Sequence, residues 1–211
     1  NNLYAVDASS GEEVWSFETG DIVESSPTVV DGTVYIGSLD NSLYAVDASS
    51  GEEVWSFKTG DSVYSSPTVA NGTVYVGSRD FNLYAVDASS GGEVWTFKTG
   101  YQVDSSPTVA DGTVYIGSDN LYAVDASSGR GEWYFQSRYV GSSPTVVDGT
   151  IYFGSSDSNL YAVGAGVSGS SEGSRVLLGT LGHHGNWRYS GQSIATQDSG
   201  NSATDSPSTG E

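Results

Sequence analysis

The chain has 211 residues, no cysteine, and a formal net charge of −19 from 26 Asp and Glu against 7 Lys and Arg. The absence of cysteine excludes disulfides and thiolate metal sites, and the acidic balance argues against nucleic acid, whose phosphates need a basic surface. No run long and apolar enough to span a membrane as a helix is present.

In chain order, Leu3–Asp7 (LYAVD) leads into Asp7–Trp15 (DASSGEEVW), and the same unit returns at Asp47–Trp55, Asp87–Trp95 (DASSGGEVW) and Asp125–Trp133 (DASSGRGEW). Each copy is followed by SSPTV, at Ser25–Val29, Ser65–Val69, Ser105–Val109 and Ser142–Val146. Then come a turn and an aromatic strand: DGTVYIGS from Asp31, NGTVYVGS from Asn71, DGTVYIGS from Asp111 and DGTIYFGS from Asp148. A fifth copy opens at Leu160 (LYAVGAG) and dissolves. A fixed period of about 40 residues is the mark of a propeller or solenoid. The first residues already lie inside a repeat, the expectation for a fragment or a processed form.

Each copy predicts four short strands, for example Val23–Val30, Thr33–Ser38, Leu43–Asp47 and Glu53–Lys58, all rich in Val, Tyr, Ile, Phe, Trp and Thr. Asp31-Gly32 and Asn71-Gly72 are two-residue hairpin turns that need φ > 0 at both positions. Asp47-Ala-Ser-Ser-Gly51 suits a longer loop in which Asp and Ser bond the local backbone and Gly takes the left-handed position. LYAV and TVYI are apolar on both faces, so each sheet needs cover on both sides. Blades stacked between blades provide it, and a flat sandwich does not. The expected fold is therefore all-β, a β-propeller of four-stranded antiparallel blades, with residues 1–164 as the propeller, 165–191 as a linker with a possible closing strand, and 192–211 as a disordered Ser/Thr-rich tail.

The run Ala5-Val-Asp7-Ala-Ser-Ser10-Gly11-Glu-Glu13-Val-Trp15 resembles the tryptophan-docking pattern A-x-D-x-x-T-G-x-E-x-W of pyrroloquinoline-quinone-type (PQQ-like) propellers, with Ser10 for Thr. It recurs at Ala45–Trp55 and Ala85–Trp95, and more weakly at Ala123–Trp133, where Gly131 replaces the Glu. The resemblance spans residues 1 to 164 and includes the BamB-type outer-membrane assembly lipoproteins and secreted archaeal repeat proteins. It implies that Trp15, Trp55, Trp95 and Trp133 are structural, each packing on the neighbouring blade near small residues such as Gly37 and Gly77. Such proteins more often have seven or eight blades. Here the two ends complete one another: Tyr139–Ser155 supply inner strands and Leu3–Phe17 outer ones, which closes about four blades and leaves the last Leu-Tyr-Ala-Val redundant. A partial ring, or a homodimer sharing one ring, is the rival.

The charge admits two readings, an acidic functional surface or a solvated surface adapted to high salt. The second is preferred. Acids occur in every copy and only Lys58 and Lys98 are lysines, a balance resembling proteins of salt-loving archaea.

Residues 3–42 and 43–82 differ at nine of forty positions, among them Glu18/Lys58, Ile22/Ser62, Glu24/Tyr64, Leu39/Arg79 and Asn41/Phe81. Near-identity of neighbouring copies leaves pairing weakly specified and invites domain swapping. The variable positions fall in two connections, outer strand to next inner strand and second strand to third, which antiparallel order places at one end of the ring. Loops on a rigid scaffold carry function. The candidate recognition face is therefore Tyr64, Arg79, Phe81, Tyr101, Gln102, Arg138 and Tyr139, with Lys98 and Asp104 in the same variable set.

Catalytic residues are not apparent. A quinone-dependent dehydrogenase resembles this chain in the Trp motif but needs Ca²⁺ ligands, a catalytic Asp and a quinone cradle that cannot be placed, so neither PQQ nor Ca²⁺ is expected. His183-His184, the two histidines, lack a third ligand and are read as loop. Asp40, Asp80, Asp119 and Asp157 recur in the second hairpin and are read as turn residues rather than weak Ca²⁺ ligands. Asn71-Gly72-Thr73 is a glycosylation sequon that turn chemistry explains. In the tail, Arg175–Leu181 is the candidate closing strand and Trp187 a candidate edge-docking residue.

The sequence thus predicts a non-catalytic scaffold that binds a protein or other macromolecule through its variable loop face, outside the cytoplasm. The alternatives are a fragment of a quinone-dependent oxidoreductase and the ligand-binding sensor domain of a larger receptor or kinase.

Overall fold

The computed structural model describes residues 1–164, which form 17 strands and no helix. The strands are β1 (Asn2–Val6), β2 (Glu13–Glu18), β3 (Thr28–Val30), β4 (Thr33–Ser38), β5 (Ser42–Asp47), β6 (Glu53–Lys58), β7 (Thr68–Ala70), β8 (Thr73–Gly77), β9 (Asn82–Asp87), β10 (Glu93–Lys98), β11 (Thr108–Ala110), β12 (Thr113–Gly117), β13 (Leu121–Asp125), β14 (Gly131–Phe135), β15 (Thr145–Val147), β16 (Thr150–Gly154) and β17 (Leu160–Gly164). Three complete blades, β3–β6, β7–β10 and β11–β14, lie between a two-stranded sheet, β1–β2, and a three-stranded one, β15–β17. The inner strands β3, β7, β11 and β15 adjoin one another in that order.

Local chemistry sets the hairpins. Asp31, Asn71, Asp111 and Asp148 have φ of 46 to 50°, and each following glycine is also left-handed, as a two-residue turn between antiparallel strands requires. In the DASSG loop, Asp47 Oδ1 accepts from the backbone N–H and hydroxyl of both Ser49 and Ser50, and Gly51 has φ 76°.

The innermost strand is shorter than the sequence predicts, three residues rather than eight. Pro27 has no N–H to give a ladder. The flanking polar groups turn sideways instead: the Ser26 N–H donates to Ser66 Oγ (2.8 Å) and Thr28 Oγ1 to the Pro67 carbonyl (2.7 Å), both in the next blade. The same two bonds run from the second blade to the third and from the third to the fourth sheet. SSPT is thus a blade-to-blade ladder.

Between blades the core is apolar. Leu43, Val63, Val74, Val76 and Val86 pack with Trp55 at the first boundary, and Leu83, Val103, Val114, Ile116 and Val124 pack with Trp95 at the second. Strands of the interior blades are buried on both faces, such as β12, buried throughout, whereas β17 alternates.

The expected cis closure is not made. β17 takes the third place in the last sheet, paired with β16, and β1 pairs with β2 alone, so the second Leu-Tyr-Ala-Val is used rather than redundant. The described residues form an open arc. The candidate closing strand at Arg175–Leu181, Trp187 and His183-His184 lie outside the described residues.

Candidate recognition face

Two structural devices hold the variable connections at one end of each blade. Asp80 Oδ2 in the β8–β9 hairpin accepts from the Gly60 N–H (2.6 Å) and the Tyr84 hydroxyl (2.6 Å), and Asp80 Oδ1 accepts from the Asn82 N–H (3.0 Å). Gly60 follows β6 of the preceding blade, so the aspartate fastens the outer-to-inner connection to the next hairpin. Asp40 and Asp119 do the same for Gly20 and Gly100. Asp157 keeps the tyrosine bond, to Tyr161 at 2.5 Å. These aspartates are inter-blade staples, a role beyond the turn chemistry read from the sequence. The signal was present as Thr-Gly followed 20 residues later by Asp.

On that frame six of the seven candidate residues come together. Arg79 lies over the ring of Tyr64, its guanidinium carbon 3.6 Å from the centroid, and forks onto Asp104 through Nε (2.8 Å) and Nη2 (3.1 Å). Asp104 Oδ2 also accepts from the Tyr139 hydroxyl (2.8 Å) and Gln102 Nε2 (3.1 Å). Phe81 and Tyr101 stack with centroids 5.8 Å apart, and Tyr101 meets Tyr139 edge-on at 5.7 Å. The cluster draws on three successive blades. Arg138 does not join it: its carbonyl accepts from Ser137 Oγ, and the residue is exposed.

The hub, Asp104, is the residue that sequence reasoning left out of the candidate set. It occupies the column of Tyr64 and Glu24, and its signal was an acid in the third copy facing an unusual arginine in the second. Among the described residues Arg79–Asp104 is the one ion pair. The cluster is therefore locally neutral on a chain of net charge −19. Burial and the bond to Asp104 push the Tyr139 hydroxyl up to about 12, and the Asp104 bond raises Arg79 as well. Tyr101 and Phe81 stay exposed, at 47% and 39%. The result is a rigid shelf with its polar atoms paired inward and its aromatic rings facing solvent.

The tryptophans lie elsewhere. Trp15, Trp55 and Trp95 donate Nε1–H to the carbonyls of Ala48, Ala88 and Ala126, each one blade ahead, at 2.9 to 3.0 Å. Trp133 packs at the third boundary, its ring 5.9 Å from Tyr115. The glycines against the indoles are Gly51, Gly91 and Gly129 of the DASSG loops, where an added methyl would sit 2.7 to 2.8 Å from the ring. Gly37 and Gly77, named from the sequence as neighbours of the indoles, instead make room for Val63 and Val103.

Comparison with known proteins decides the family. The profile described as outer membrane protein assembly factor BamB matches residues 1–89 and 79–172. The chain belongs to the BamB family. Among solved structures, BamB from Moraxella catarrhalis superposes with a TM-score of 0.67 at 24% identity over 76% of this chain and 52% of that one. Quinohemoprotein alcohol dehydrogenase from Comamonas testosteroni gives 0.65 at 16% identity over 76% and 38%. The computationally designed Ika4 protein gives 0.64 at 13% identity over 72% and 97%. No curated protein matches by sequence. The chain thus spans about half the length of the BamB structure, and these identities show the fold alone: a β-propeller of four-stranded blades, here as an arc. Among the described residues no helix is long and apolar enough to cross a membrane, and no group of three or more His, Cys, Asp or Glu is placed to hold a metal.

Proposed function

We propose that this BamB-family chain is a non-catalytic scaffold that binds a protein partner outside the cytoplasm through the end of the arc bearing Arg79, Phe81, Tyr101 and Tyr139. The observation that carries the reading is the Asp104-centred cluster. Tyr, Phe and Arg are the side chains that dominate protein interfaces. Here their conformations are already fixed by the fork on Asp104, the stack on Tyr64 and the staples beneath, so little side-chain entropy is lost on binding. The partner fitting this face carries an apolar or aromatic anchor for the Phe81–Tyr101 shelf and basic groups around it, complementary to the acidic surroundings. The extracytoplasmic setting follows the family description, an assembly factor for outer membrane proteins.

A photo-crosslinking residue at Tyr101 tests this in the source cell. The expected result is a discrete adduct that disappears with Phe81→Ala and is not formed from Ser49 at the opposite end. Equal adducts from both positions, or none from Tyr101, would sink the reading. The dehydrogenase alternative predicts a rise in melting temperature on adding quinone with Ca²⁺, and the scaffold reading predicts none.

A further inference from the structure

The SSPT ladder has a direction. Each inner strand offers a Ser N–H and a Thr hydroxyl to the blade ahead, and presents a Ser Oγ and a Pro carbonyl to the blade behind. At the two rims of the arc the series is cut. Ser143 N–H and Thr145 Oγ1 of the last sheet, and Ser26 Oγ and Pro27 O of the first blade, have no partner among the described residues. One rim is left with donors and the other with the matching acceptors.

The rims also match in strands. The last sheet supplies first, second and third strands, β15–β17. The sheet β1–β2 supplies a third and a fourth, behind β3. Leu3-Tyr-Ala-Val6 of β1 repeats Leu160-Tyr-Ala-Val163 of β17, so β1 is able to pair with β16 in the register that β17 uses: Ile151 with Val163, Tyr152 with Ala162, Phe153 with Tyr161. Side chains that are sealed inside the arc are open here. Val6 is 59% exposed where Val46 and Val86 are 0%, and Leu160 is 42% exposed where Leu43, Leu83 and Leu121 are 0%.

We propose that two copies of this chain close into one ring, the β15 rim of each docking on the β3 rim of the other, with β1–β2 of one copy completing the blade begun by β15–β16 of its partner. The curvature selects the second copy over closure in cis. The arc superposes on about half of the BamB chain, so two such arcs make one ring of that curvature, and four inner strands per copy keep the total within the roughly four to eight blades usual for propellers. The junctions are equivalent by two-fold symmetry, so assembly stops at two. Each junction repeats the ladder and the apolar boundary already present three times within the chain. Both recognition clusters then lie on the same end of the ring, which makes the assembly bivalent.

The mass of the full 211-residue chain in molar salt, measured by sedimentation equilibrium, tests this. Twice 22.0 kDa is expected. Thr145→Val removes one ladder bond at each of the two junctions and should weaken dimerisation by roughly ten- to thirtyfold with the fold intact by circular dichroism. The chain has no cysteine, so the double variant Ser26→Cys/Ser143→Cys reports the junction directly, with Ser66→Cys/Ser106→Cys as the intrachain control. Oxidation should link two copies in the first and none in the second. A 22.0 kDa monomer, an intrachain Ser26→Cys/Ser143→Cys link, or an open-ended polymer would each overturn the proposal. If the cysteine variants do not fold, the mass of the unmodified chain decides alone.

Discussion

Trp55 reaches across a blade boundary to donate its indole N–H to the carbonyl of Ala88, 3.0 Å away, while Gly91 packs against the face of the same ring. That carbonyl also accepts from the Tyr35 hydroxyl, so one loop of the next blade takes two bonds from the blade behind. Trp55→Phe removes the donor and part of the ring. The expected loss is about 1–3 kcal/mol, the sum of one hydrogen bond and a small cavity. Urea denaturation followed by circular dichroism measures it. A loss under about 0.3 kcal/mol would show that the boundary does not depend on this indole.

The Asp80 staple makes a separate prediction. Asp80→Ala leaves the Tyr84 hydroxyl and the Gly60 N–H without their acceptor, at a cost of about 1–3 kcal/mol. It also frees the connection that leads to Tyr64. Hydrogen exchange should therefore speed at Gly60 and stay unchanged at Gly20, which Asp40 holds. Equal exchange at both positions in the variant would refute an inter-blade role.

Much of the fold was legible because the copies repeat the turn chemistry along with the strand composition. Asp-Gly and Asp-Ala-Ser-Ser-Gly fixed the hairpins, and apolar residues on both faces of TVYI demanded blades on either side. Two things were not legible. The SSPTV segment reads as strand by composition, but Pro27 and sideways Ser and Thr bonds turn most of it into an inter-blade contact. The closure was hidden by identity: Leu3–Val6 and Leu160–Val163 carry the same four residues, so sequence alone does not choose which one pairs with β16. At the candidate site, Arg79, Tyr101 and Tyr139 stood out because they break an otherwise uniform repeat. Asp104 did not, since one more acid in a chain with 26 acids is invisible until its four hydrogen bonds are seen.

The DASSG loops set the acid limb of stability. Hydrogen bonds from the paired serines hold Asp7, Asp47, Asp87 and Asp125 at about 2, below their ordinary value of 3.8. A depressed carboxyl pKa contributes stability that is present above the unfolded value and is lost as pH falls through the folded one. The melting temperature should therefore drop between about pH 4 and pH 2. Asn at all four positions keeps an acceptor oxygen but no charge, and should flatten that limb. An unchanged slope in the fourfold variant would assign acid unfolding to other groups.

The alkaline limb has the opposite sign. Tyr84 and Tyr139 are raised from 10 to about 12, by burial first and by their aspartate partners second. Between those values the unfolded chain releases protons that the folded chain retains, so stability falls as pH rises from 10 to 12. Tyr139→Phe removes one titrating group and should make the decline shallower, while leaving the Arg79–Asp104 fork in place. Asp104→Asn acts on the same cluster differently: it removes the charge opposite Arg79 and weakens the fork by about 1–3 kcal/mol. Tyrosine absorbance at 295 nm against pH separates the two, because only Tyr139→Phe deletes a high-pKa phenol. An absorbance titration identical to that of the unmodified chain would contradict the placement of Tyr139.

Salt provides the last test, and its physical basis is the net charge of −19 with one ion pair among the described residues. Almost every carboxylate is then unpaired, and their mutual repulsion opposes the compact state. At 1 M salt the Debye length falls to about 3 Å, against about 10 Å at 0.1 M, so repulsion between neighbouring loops is largely removed. The unfolding midpoint should rise steeply between these concentrations and level off above them. Potassium and sodium chloride should act alike, since screening depends on ionic strength and not on the cation. A selective gain with Ca²⁺ at millimolar levels, absent with Na⁺, would instead mean that particular carboxylates bind cations. Asp40→Asn and Asp157→Asn would then locate them. The assembly should follow the same curve, because closing the ring brings two acidic rims together, and the dimer should be strongest in the salt range where the single chain is most stable.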